Sequence, residues 1–369
     1  MSRAMILHEW AGRMPQTADD RPRQFRYAGG FTSCNPTPSL TPMPNRIIGL
    51  FAASLLLCAC VGQKPSAPPP KPPPPANEPK TQAPQPPAPS APLLPPSVGI
   101  DQRPDVQAFI ADMSRKHGFS AADLRQVFVG AGIQPAILTA MGKPYEAKPW
   151  YAYKKLYVSE ARVQNGIEFR RRNAAALARA EAKYGVSPDI VTAIIGIESA
   201  YGNRPGNYRV IDALATLSFD YPRRAAFFRS ELEQFLLLCR DENISPLQPL
   251  GSYAGAMGMP QFMPSSFRKL AADGDGDGKR DIWNNPADAI ASVARYFRAN
   301  GWHTGEPIAE PAGEGRQGNL KLEEENGPAY WTTYHNFQVI KRYNNSALYA
   351  MAAYEVSRGI GLGAAAGSP

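Results

Sequence analysis

Cysteine and histidine are scarce in this sequence, and their scarcity excludes several kinds of site. The 369 residues include only four cysteines and four histidines. Cys34, Cys58, Cys60 and Cys239 fall into no metal-binding spacing, and three of them precede the globular part, so neither a zinc site nor a disulfide framework is expected. Cys239 ends the apolar run 235–239, which favours a buried structural thiol over a nucleophile.

Strand patterns and basic clusters are missing as well. No segment sustains the alternation of apolar and polar residues that marks a half-buried strand, so the fold class is predicted to be mainly α. The formal net charge of +8 suits an anionic polymer or a membrane surface. Because the basic residues are spread along predicted helices without interleaved aromatic residues, a nucleic-acid partner is not expected.

Residues 43–60 have the pattern of a short signal peptide. A basic segment (43–46) precedes an apolar run (47–57) that is too short for a transmembrane helix, which would be the alternative. The sequence Leu57-Cys58-Ala59-Cys60 resembles the bacterial lipobox, with Cys60 as the lipidated residue, although Cys58 stands where a smaller residue is usual. Val61 follows instead of Asp, which predicts sorting to the periplasmic face of the outer membrane.

The segments on either side of this signal have no globular pattern. A signal peptide should begin a protein, so we expect Met43 to be the true start and residues 1–42 to be a start-site artefact. Residues 61–100 hold many of the chain's 38 prolines and cannot bury a core. Such a segment is expected to form an extended, semi-rigid linker between an anchor and a domain.

From residue 101 to residue 369 the pattern is that of a helical domain. Pro104 begins a helix that places Val106, Phe109, Ile110 and Met113 on its inner face. Further helices are predicted over 159–184, 187–198, 222–240, 286–300 and 345–357.

Glu198 interrupts an apolar stripe in one of these helices. Ser187 is the N-cap and Pro188 the first helical residue, and Val191, Ile194 and Ile195 then share one face. Glu198 takes the next position on that face, where an apolar environment would disfavour the charged carboxylate and suit a general acid. The alternative is that Glu198 turns outward to solvent at the helix end.

Two further segments contain candidate binding residues. Residues 251–267 are rich in glycine and methionine and carry the polar Ser252 and Gln261, as expected of a cleft wall with an adaptable apolar floor. An irregular core loop is the alternative. Arg223 and Arg224 stand together at a helix start, where the helix dipole does not favour cations, so an anionic ligand is a candidate partner.

Taken together, three motifs resemble the membrane-bound lytic murein transglycosylase B family over roughly residues 101–358. They are Glu198-Ser199-Ala200-Tyr201-Gly202, Tyr221-Pro222-Arg223-Arg224, and Gly255-Ala256-Met257-Gly258 with the following 261–266. The resemblance implies a lysozyme-like core with an additional helical domain. It also implies cleavage of the β-1,4 bond between N-acetylmuramic acid and N-acetylglucosamine in peptidoglycan, leaving 1,6-anhydromuramoyl ends.

By this resemblance Glu198 is the single catalytic acid/base, and the chemistry requires no cofactor. A second carboxylate is not needed because an intramolecular hydroxyl replaces water, so the nearby Asp212 and Asp220 are expected to be structural. Ser252 and Gln261 correspond to the family's substrate-contacting serine and glutamine. The tyrosines that correspond to its groove are Tyr153, Tyr296, Tyr343 and Tyr349. Taken alone, each tyrosine is more often a core residue than a cleft residue. Tyr296 lies beside a core stripe, at a position where its ring can be half buried and its hydroxyl free.

An acidic segment, 273–281, matches the first nine positions of an EF-hand loop, with Gly278 at the sharp turn. Asn284 stands where the bidentate glutamate belongs, and the family's longer loop, closed by a later aspartate, extends the match to Asp288. The residues assigned to an ion are Asp273, Asp275, Asp277, Lys279 and Asp288. A structural calcium or sodium ion is expected, and a solvated acidic turn is the alternative.

Three functions remain open from the sequence. They are a lytic transglycosylase, a hydrolytic muramidase of the same fold, and a non-catalytic lipoprotein that binds peptidoglycan. The expected partners are glycan strands, a membrane through the lipid anchor, and penicillin-binding proteins.

Overall fold

Helices make up most of the structure. A computed structural model describes residues 99–142, 148–313, 316 and 318–366. Its α-helices are α1 Pro104–His117, α2 Ala121–Gly130, α3 Pro135–Gly142, α4 Trp150–Tyr157, α5 Glu160–Arg172, α6 Ala174–Tyr184, α7 Pro188–Ser199, α8 Val210–Asp220, α9 Ala225–Asp241, α10 Pro264–Leu270, α11 Pro286–Ala299, α12 His335–Tyr343 and α13 Ala347–Ala366. Short 3₁₀ helices occupy Ile100–Gln102 and Pro222–Arg224.

The interpretations of the N-terminal region lie outside the described residues. This applies to the start-site artefact (1–42), the signal peptide (43–60) with Cys60, and nearly all of the linker (61–100). Within the described part, no helix is both long and apolar enough to cross a membrane.

Helix α7 is the centre of the core. Ser187 caps its first turn by accepting a hydrogen bond from Asp189 N at 3.3 Å, as its sequence predicts. All ten residues from 190 to 199 are buried, so the helix has no solvent-exposed face. Helices α5, α6, α11 and α13 pack around it. The outward-facing alternative for Glu198 is therefore wrong.

Several helix boundaries differ from the sequence-based prediction. The predicted helix 159–184 is two helices, because the backbone breaks at Asn173, whose side-chain amide donates to Phe169 O at 2.8 Å. The predicted helix 222–240 opens with a 3₁₀ turn before α9. Helix α13 continues to Ala366, well past the predicted end at residue 357.

The described residues include five short strands that were not predicted. Strands β1 (Tyr208–Arg209) and β2 (Leu250–Gly251) form an antiparallel pair. Strands β3 (Ala309–Pro311), β4 (Leu320–Glu324) and β5 (Gly327–Thr333) form an antiparallel sheet in the order β3-β5-β4. Only Ala309 and Leu322 in this sheet are buried, so its strands lack the strong alternation that marks a sheet with one core face.

Candidate active site

Glu198 lies at the C-terminal end of α7, where the chain turns sharply. Its side chain is buried, with the residue only 7% exposed. The turn is organised by Ser199, whose Oγ donates to Ile195 O at 3.1 Å and accepts from Gly202 N at 3.0 Å. The sharp turn prevents the helix from continuing and leaves Glu198 in its last turn, facing residues from the C-terminal part of the chain.

Two of the four predicted tyrosines bond to this carboxyl group or to the loop beside it. Tyr349, from α13, donates its hydroxyl hydrogen bond to Glu198 Oε1 at 2.7 Å. Burial, with the charge of Glu198 adding to it, raises the pKa of Tyr349 well above its usual value, so the phenol remains a donor. Tyr343 is buried and donates to Pro260 O at 2.6 Å. Tyr153 is buried, and its ring stacks on Trp150.

Tyr296 has a different environment from the one predicted. Its ring is half buried, as expected, and lies 4.6 Å from the ring of Tyr343, centroid to centroid. The expectation of a free hydroxyl is wrong, because this hydroxyl donates to Arg342 O at 2.6 Å. Tyr296 therefore supports Tyr343 and the start of the segment that leads to Tyr349.

Ser252 and Gln261 both lie in the buried loop that follows β2. Ser252 Oγ accepts hydrogen bonds from Ala254 N at 3.3 Å and Ala256 N at 3.1 Å. The side-chain amide of Gln261 donates to Pro205 O and Gly258 O, each at 2.9 Å. These bonds hold the loop in shape, and they leave the Ser252 hydroxyl hydrogen and the Gln261 side-chain oxygen as groups that a ligand can use.

The two arginines of the second motif have unequal surroundings. Arg223 is exposed, whereas Arg224 is half buried, with its guanidinium carbon 4.2 Å from the centroid of the Phe227 ring. Burial lowers the pKa of Arg224 from its usual value. Stacking on Phe227 holds the Arg224 guanidinium in one place, which favours recognition of an anionic group.

Buried carboxylates are not unique to Glu198, and their partners separate their roles. Asp212 accepts two hydrogen bonds from Arg209, at 2.8 and 2.9 Å, and one from Gly132 N at 3.0 Å. Its oxygens are thus occupied by an ion pair and by backbone, which is a structural arrangement. Glu198 accepts from a phenol instead, beside a turn and among tyrosines.

Comparison with known proteins identifies the family. The model of the family described as "Transglycosylase SLT domain" matches residues 101–358. Membrane-bound lytic murein transglycosylase B of Escherichia coli (strain K12) is 39% identical over 301 residues, covering 70% of this chain and 83% of that protein. This chain belongs to the transglycosylase SLT domain family.

Solved structures agree with this assignment. Soluble lytic transglycosylase SltB1 from Pseudomonas aeruginosa is 43% identical with a TM-score of 0.68, over 72% of this chain and 100% of that one. The structure of Escherichia coli lytic transglycosylase Slt35 in complex with calcium is 38% identical with a TM-score of 0.67, over 72% and 95%. The predicted mainly α, lysozyme-like class is confirmed, and the protein is a lytic murein transglycosylase.

The acidic loop of this transglycosylase brings three predicted ligands together. One carboxylate oxygen from each of Asp273, Asp275 and Asp288 lies within 4.8 Å of the others. Asp288 is fully buried, and its oxygens accept from Gly274 N and Asp281 N at 2.7 Å each. Burial raises the pKa of Asp288, and the neighbouring carboxylates of Asp275 and Asp273 add to that rise.

Asp277, a further predicted carboxylate ligand of the loop, is not part of this group. Asp277 is exposed and accepts from Lys279 N at 2.8 Å, so its carboxylate stabilises the turn. Lys279 is exposed as well.

Sequence reasoning missed a further buried carboxylate, Glu231. It lies on the inner face of α9 with Phe228, Leu232 and Phe235, and it accepts from Ser265 N at 2.9 Å and Ser265 Oγ at 2.7 Å. Burial raises its pKa, although the two bonds from Ser265 oppose that rise. The signal that found Glu198, a carboxylate in an apolar stripe, would have found Glu231 too. Through Ser265 it joins α9 to the first turn of α10, directly after the loop that carries Gln261.

Cys239 has the environment that was predicted from the apolar run around it. It is buried, and burial raises the pKa of its thiol to about 12. At neutral pH it stays protonated and is not a nucleophile.

Proposed function

We propose that Glu198 is the single acid/base catalyst with which this lytic transglycosylase cleaves peptidoglycan. The observation that carries the proposal is the buried carboxyl group at the end of α7, with the Tyr349 hydroxyl 2.7 Å from its Oε1. Burial disfavours the charged form of a carboxyl group, so Glu198 can hold the proton that a leaving oxygen needs.

The reaction proceeds in two proton transfers. Glu198 first protonates the glycosidic oxygen between N-acetylmuramic acid and N-acetylglucosamine, and the bond from muramoyl C1 to that oxygen breaks with its electron pair going to oxygen. The C6 hydroxyl of the same muramoyl unit then bonds to C1, and the Glu198 carboxylate accepts the proton of that hydroxyl. The product has a 1,6-anhydro end, and Glu198 returns to its protonated state.

One carboxylate is sufficient in this mechanism. Ordinary glycosidases need a second carboxylate as nucleophile or as the base that activates water. The buried carboxylates of Asp212 and Glu231 hold the structure through Arg209 and Ser265. This supports a mechanism in which the hydroxyl of the substrate takes the place of water.

The substrate is a glycan strand that lies along the 251–263 loop, next to the Glu198 carboxyl group. We assign Tyr153, Tyr343 and Tyr349 to the buried layer behind the reacting sugar, where Tyr349 holds the Glu198 carboxyl group and Tyr343 holds the 251–263 loop through Pro260 O. Ser252 and Gln261 supply hydrogen bonds to the sugar. Arg223 and Arg224 bind an anionic group of the strand, and the stacked Arg224 gives that contact its direction.

The mass of the products tests this function. Digestion of purified sacculi by the purified protein should release muropeptides that are lighter by one water, about 18 Da, than the products of hydrolysis, because no water enters the reaction. Full-mass reducing ends would instead establish a hydrolytic muramidase. Binding of sacculi without any release would establish a non-catalytic lipoprotein.

We further propose that the acidic loop holds a structural calcium ion. Carboxylate oxygens are the ligands that calcium prefers, and Asp273, Asp275 and Asp288 offer three within a small volume. Together they bring three negative charges close to one another, which repel unless a cation neutralises them. The calcium complex of Slt35 shows that a relative accepts this ion. Sodium is the competing ion.

Calcium should therefore stabilise the fold without accelerating the chemistry. At a hundredfold excess over its Kd, an ion that binds only the folded state adds about 2.7 kcal/mol to the free energy of unfolding. We expect the Tm of the wild type to rise by roughly 5–10 °C in calcium, measured by thermal denaturation against a chelator. Turnover should change little.

Asp275→Ala should abolish this rise in Tm, whereas Asp112→Ala, which alters an exposed aspartate on α1, should preserve it. Replacing calcium with sodium in the same measurement separates the two ions. A wild-type Tm that responds to neither ion nor to chelator would show that the acidic loop is only a turn.

For the N-terminal region we propose lipid anchoring through Cys60, with residues 61–100 as the spacer that lets the domain reach the wall. Cys60→Ser should give a soluble periplasmic protein, because the sulfur that would carry the lipid is gone. Cys58→Ser, the matched control two residues away, should remain in the outer-membrane fraction. Fractionation followed by mass measurement checks both. An unprocessed Cys60→Ser protein in the membrane would contradict the lipobox interpretation.

Penicillin-binding proteins remain a predicted partner of the anchored enzyme. Because these enzymes build peptidoglycan, they need cleavage of existing strands nearby. Their co-purification with the wild type after crosslinking, and its loss with Cys60→Ser, would support this partnership. Failure to recover them with either form would contradict it.

A further inference from the structure

The turn that follows Glu198 has an unusual backbone conformation. Ala200 and Tyr201 are consecutive and both adopt positive φ, 47° and 59°, in the left-handed region. This region is unfavourable for residues with a Cβ atom, and two such residues in succession are uncommon. Such a conformation persists only where the surrounding structure holds it in place.

The ring of Tyr201 lies in a slot that two glycines leave open. A Cβ atom on Gly196, in α7, would lie 2.4 Å from Cζ of the Tyr201 ring. A Cβ atom on Gly166, in α5, would lie 2.6 Å from the Tyr201 hydroxyl oxygen. Any larger residue at either position would displace the ring. The ring thus packs between the helix that carries Glu198 and the neighbouring helix, and it is only 9% exposed.

Hydrogen bonds of Arg162 also connect Tyr201 and α5 to the end of α7. The Tyr201 hydroxyl donates to Arg162 O, in α5, at 2.7 Å. The side chain of Arg162 reaches back to α7, where its Nε donates to Gly196 O at 3.3 Å. Gly196 O also accepts from Ala200 N at 3.1 Å. A cation at these carbonyl groups is favourable, because the C-terminal end of a helix carries partial negative charge.

We infer that Tyr201 is a positioning residue: by locking the left-handed turn between α5 and α7, it fixes the direction in which the Glu198 carboxyl group points. The inference rests on the proposed role of Glu198. Tyr201 does not reach the substrate and acts only through the backbone of residues 199–202. If the turn relaxes, the last turn of α7 loosens, and the carboxyl group leaves its position relative to Tyr349. A displacement of about 1 Å at a reacting group can cost roughly 100-fold in rate.

Three variants test whether Tyr201 holds the turn after Glu198. Tyr201→Leu removes the ring and the hydroxyl, and Gly196→Ala expels the ring without altering Tyr201. Tyr201→Phe retains the ring but removes the bond to Arg162 O. With soluble peptidoglycan fragments as substrate, we expect kcat to fall about 100-fold in the first two variants with KM nearly unchanged. Tyr201→Phe should retain a kcat between these variants and the wild type.

A stability control separates positioning from general destabilisation. Phe128→Leu loosens a fully buried site on α2 that packs against Phe109 and Phe219, away from the turn. It should lower Tm yet leave kcat unchanged below the unfolding transition. Should Tyr201→Leu fail to fold, the kcat of Tyr201→Phe still decides the question, because that variant retains the packing of the ring.

The outcomes also separate this inference from the proposed function. If Glu198→Gln is inactive but kcat of Tyr201→Phe and of folded Gly196→Ala equals that of the wild type, Tyr201 does not position the acid. The same conclusion follows if these variants change KM alone, or if Phe128→Leu lowers kcat as much as they do. If Glu198→Gln itself is active, the proposed function fails first.

Discussion

Replacing Glu198 by glutamine should abolish turnover while leaving the fold intact. Glutamine has nearly the same shape, and its side-chain oxygen can still accept the hydrogen bond from Tyr349. It cannot give a proton to the glycosidic oxygen or take one from the C6 hydroxyl. General acid–base catalysis contributes roughly 10²–10⁴-fold, and the loss should reach the upper end because one group performs both transfers.

Release of muropeptides from sacculi measures this effect, with Tm as the check on folding. Glu198→Asp is an informative companion, because it keeps the acid but shortens its reach, and it should retain a small residual activity. Near-normal release by a folded Glu198→Gln protein would remove Glu198 from the mechanism and leave the lyase chemistry without its catalyst.

The same change of carboxylate to amide at Asp212 should destabilise the fold but leave turnover unchanged. In Asp212→Asn the amide group would face the guanidinium of Arg209 and the N–H of Gly132, which are both donors. One buried donor is then left without an acceptor, and Arg209 loses its counter-charge. Because the Asp212 side chain is buried but that of Arg209 is about one third exposed, the change should cost roughly 2 kcal/mol in the free energy of unfolding, or roughly 4–8 °C in Tm.

Turnover by folded Asp212→Asn, measured below its unfolding transition, should match that of the wild type. Arg209→Met, which leaves the carboxylate of Asp212 without its ion pair, should lower Tm by a similar amount. A large loss of kcat in Asp212→Asn at unchanged Tm would indicate that Asp212, and not Glu198 alone, takes part in the chemistry.

A local sequence pattern does not separate the proposed catalytic carboxylate from structural ones, as shown by Glu198, Asp212 and Glu231. All three are buried carboxylates on inner helix faces, and the sequence pattern that singled out Glu198 fits Glu231 equally well. What separates them is their partners. The oxygens of Asp212 accept from Arg209, and those of Glu231 accept from Ser265. Glu198 instead accepts from Tyr349, which lies 151 residues later in the chain. No periodicity in α7 carries that information.

By itself the sequence determined the mainly α class, the Ser187 cap of α7, the family and the set of candidate site residues. These depend on spacing within a few turns of helix and on short motifs, which act through local backbone hydrogen bonds and apolar stripes. Tertiary structure alone decided the small sheet of β3 to β5, the bonded hydroxyl of Tyr296 and the slot that holds Tyr201. Each of these depends on what distant segments place beside a residue, because burial and hydrogen bonding are decided in space and local propensity is too weak to override them.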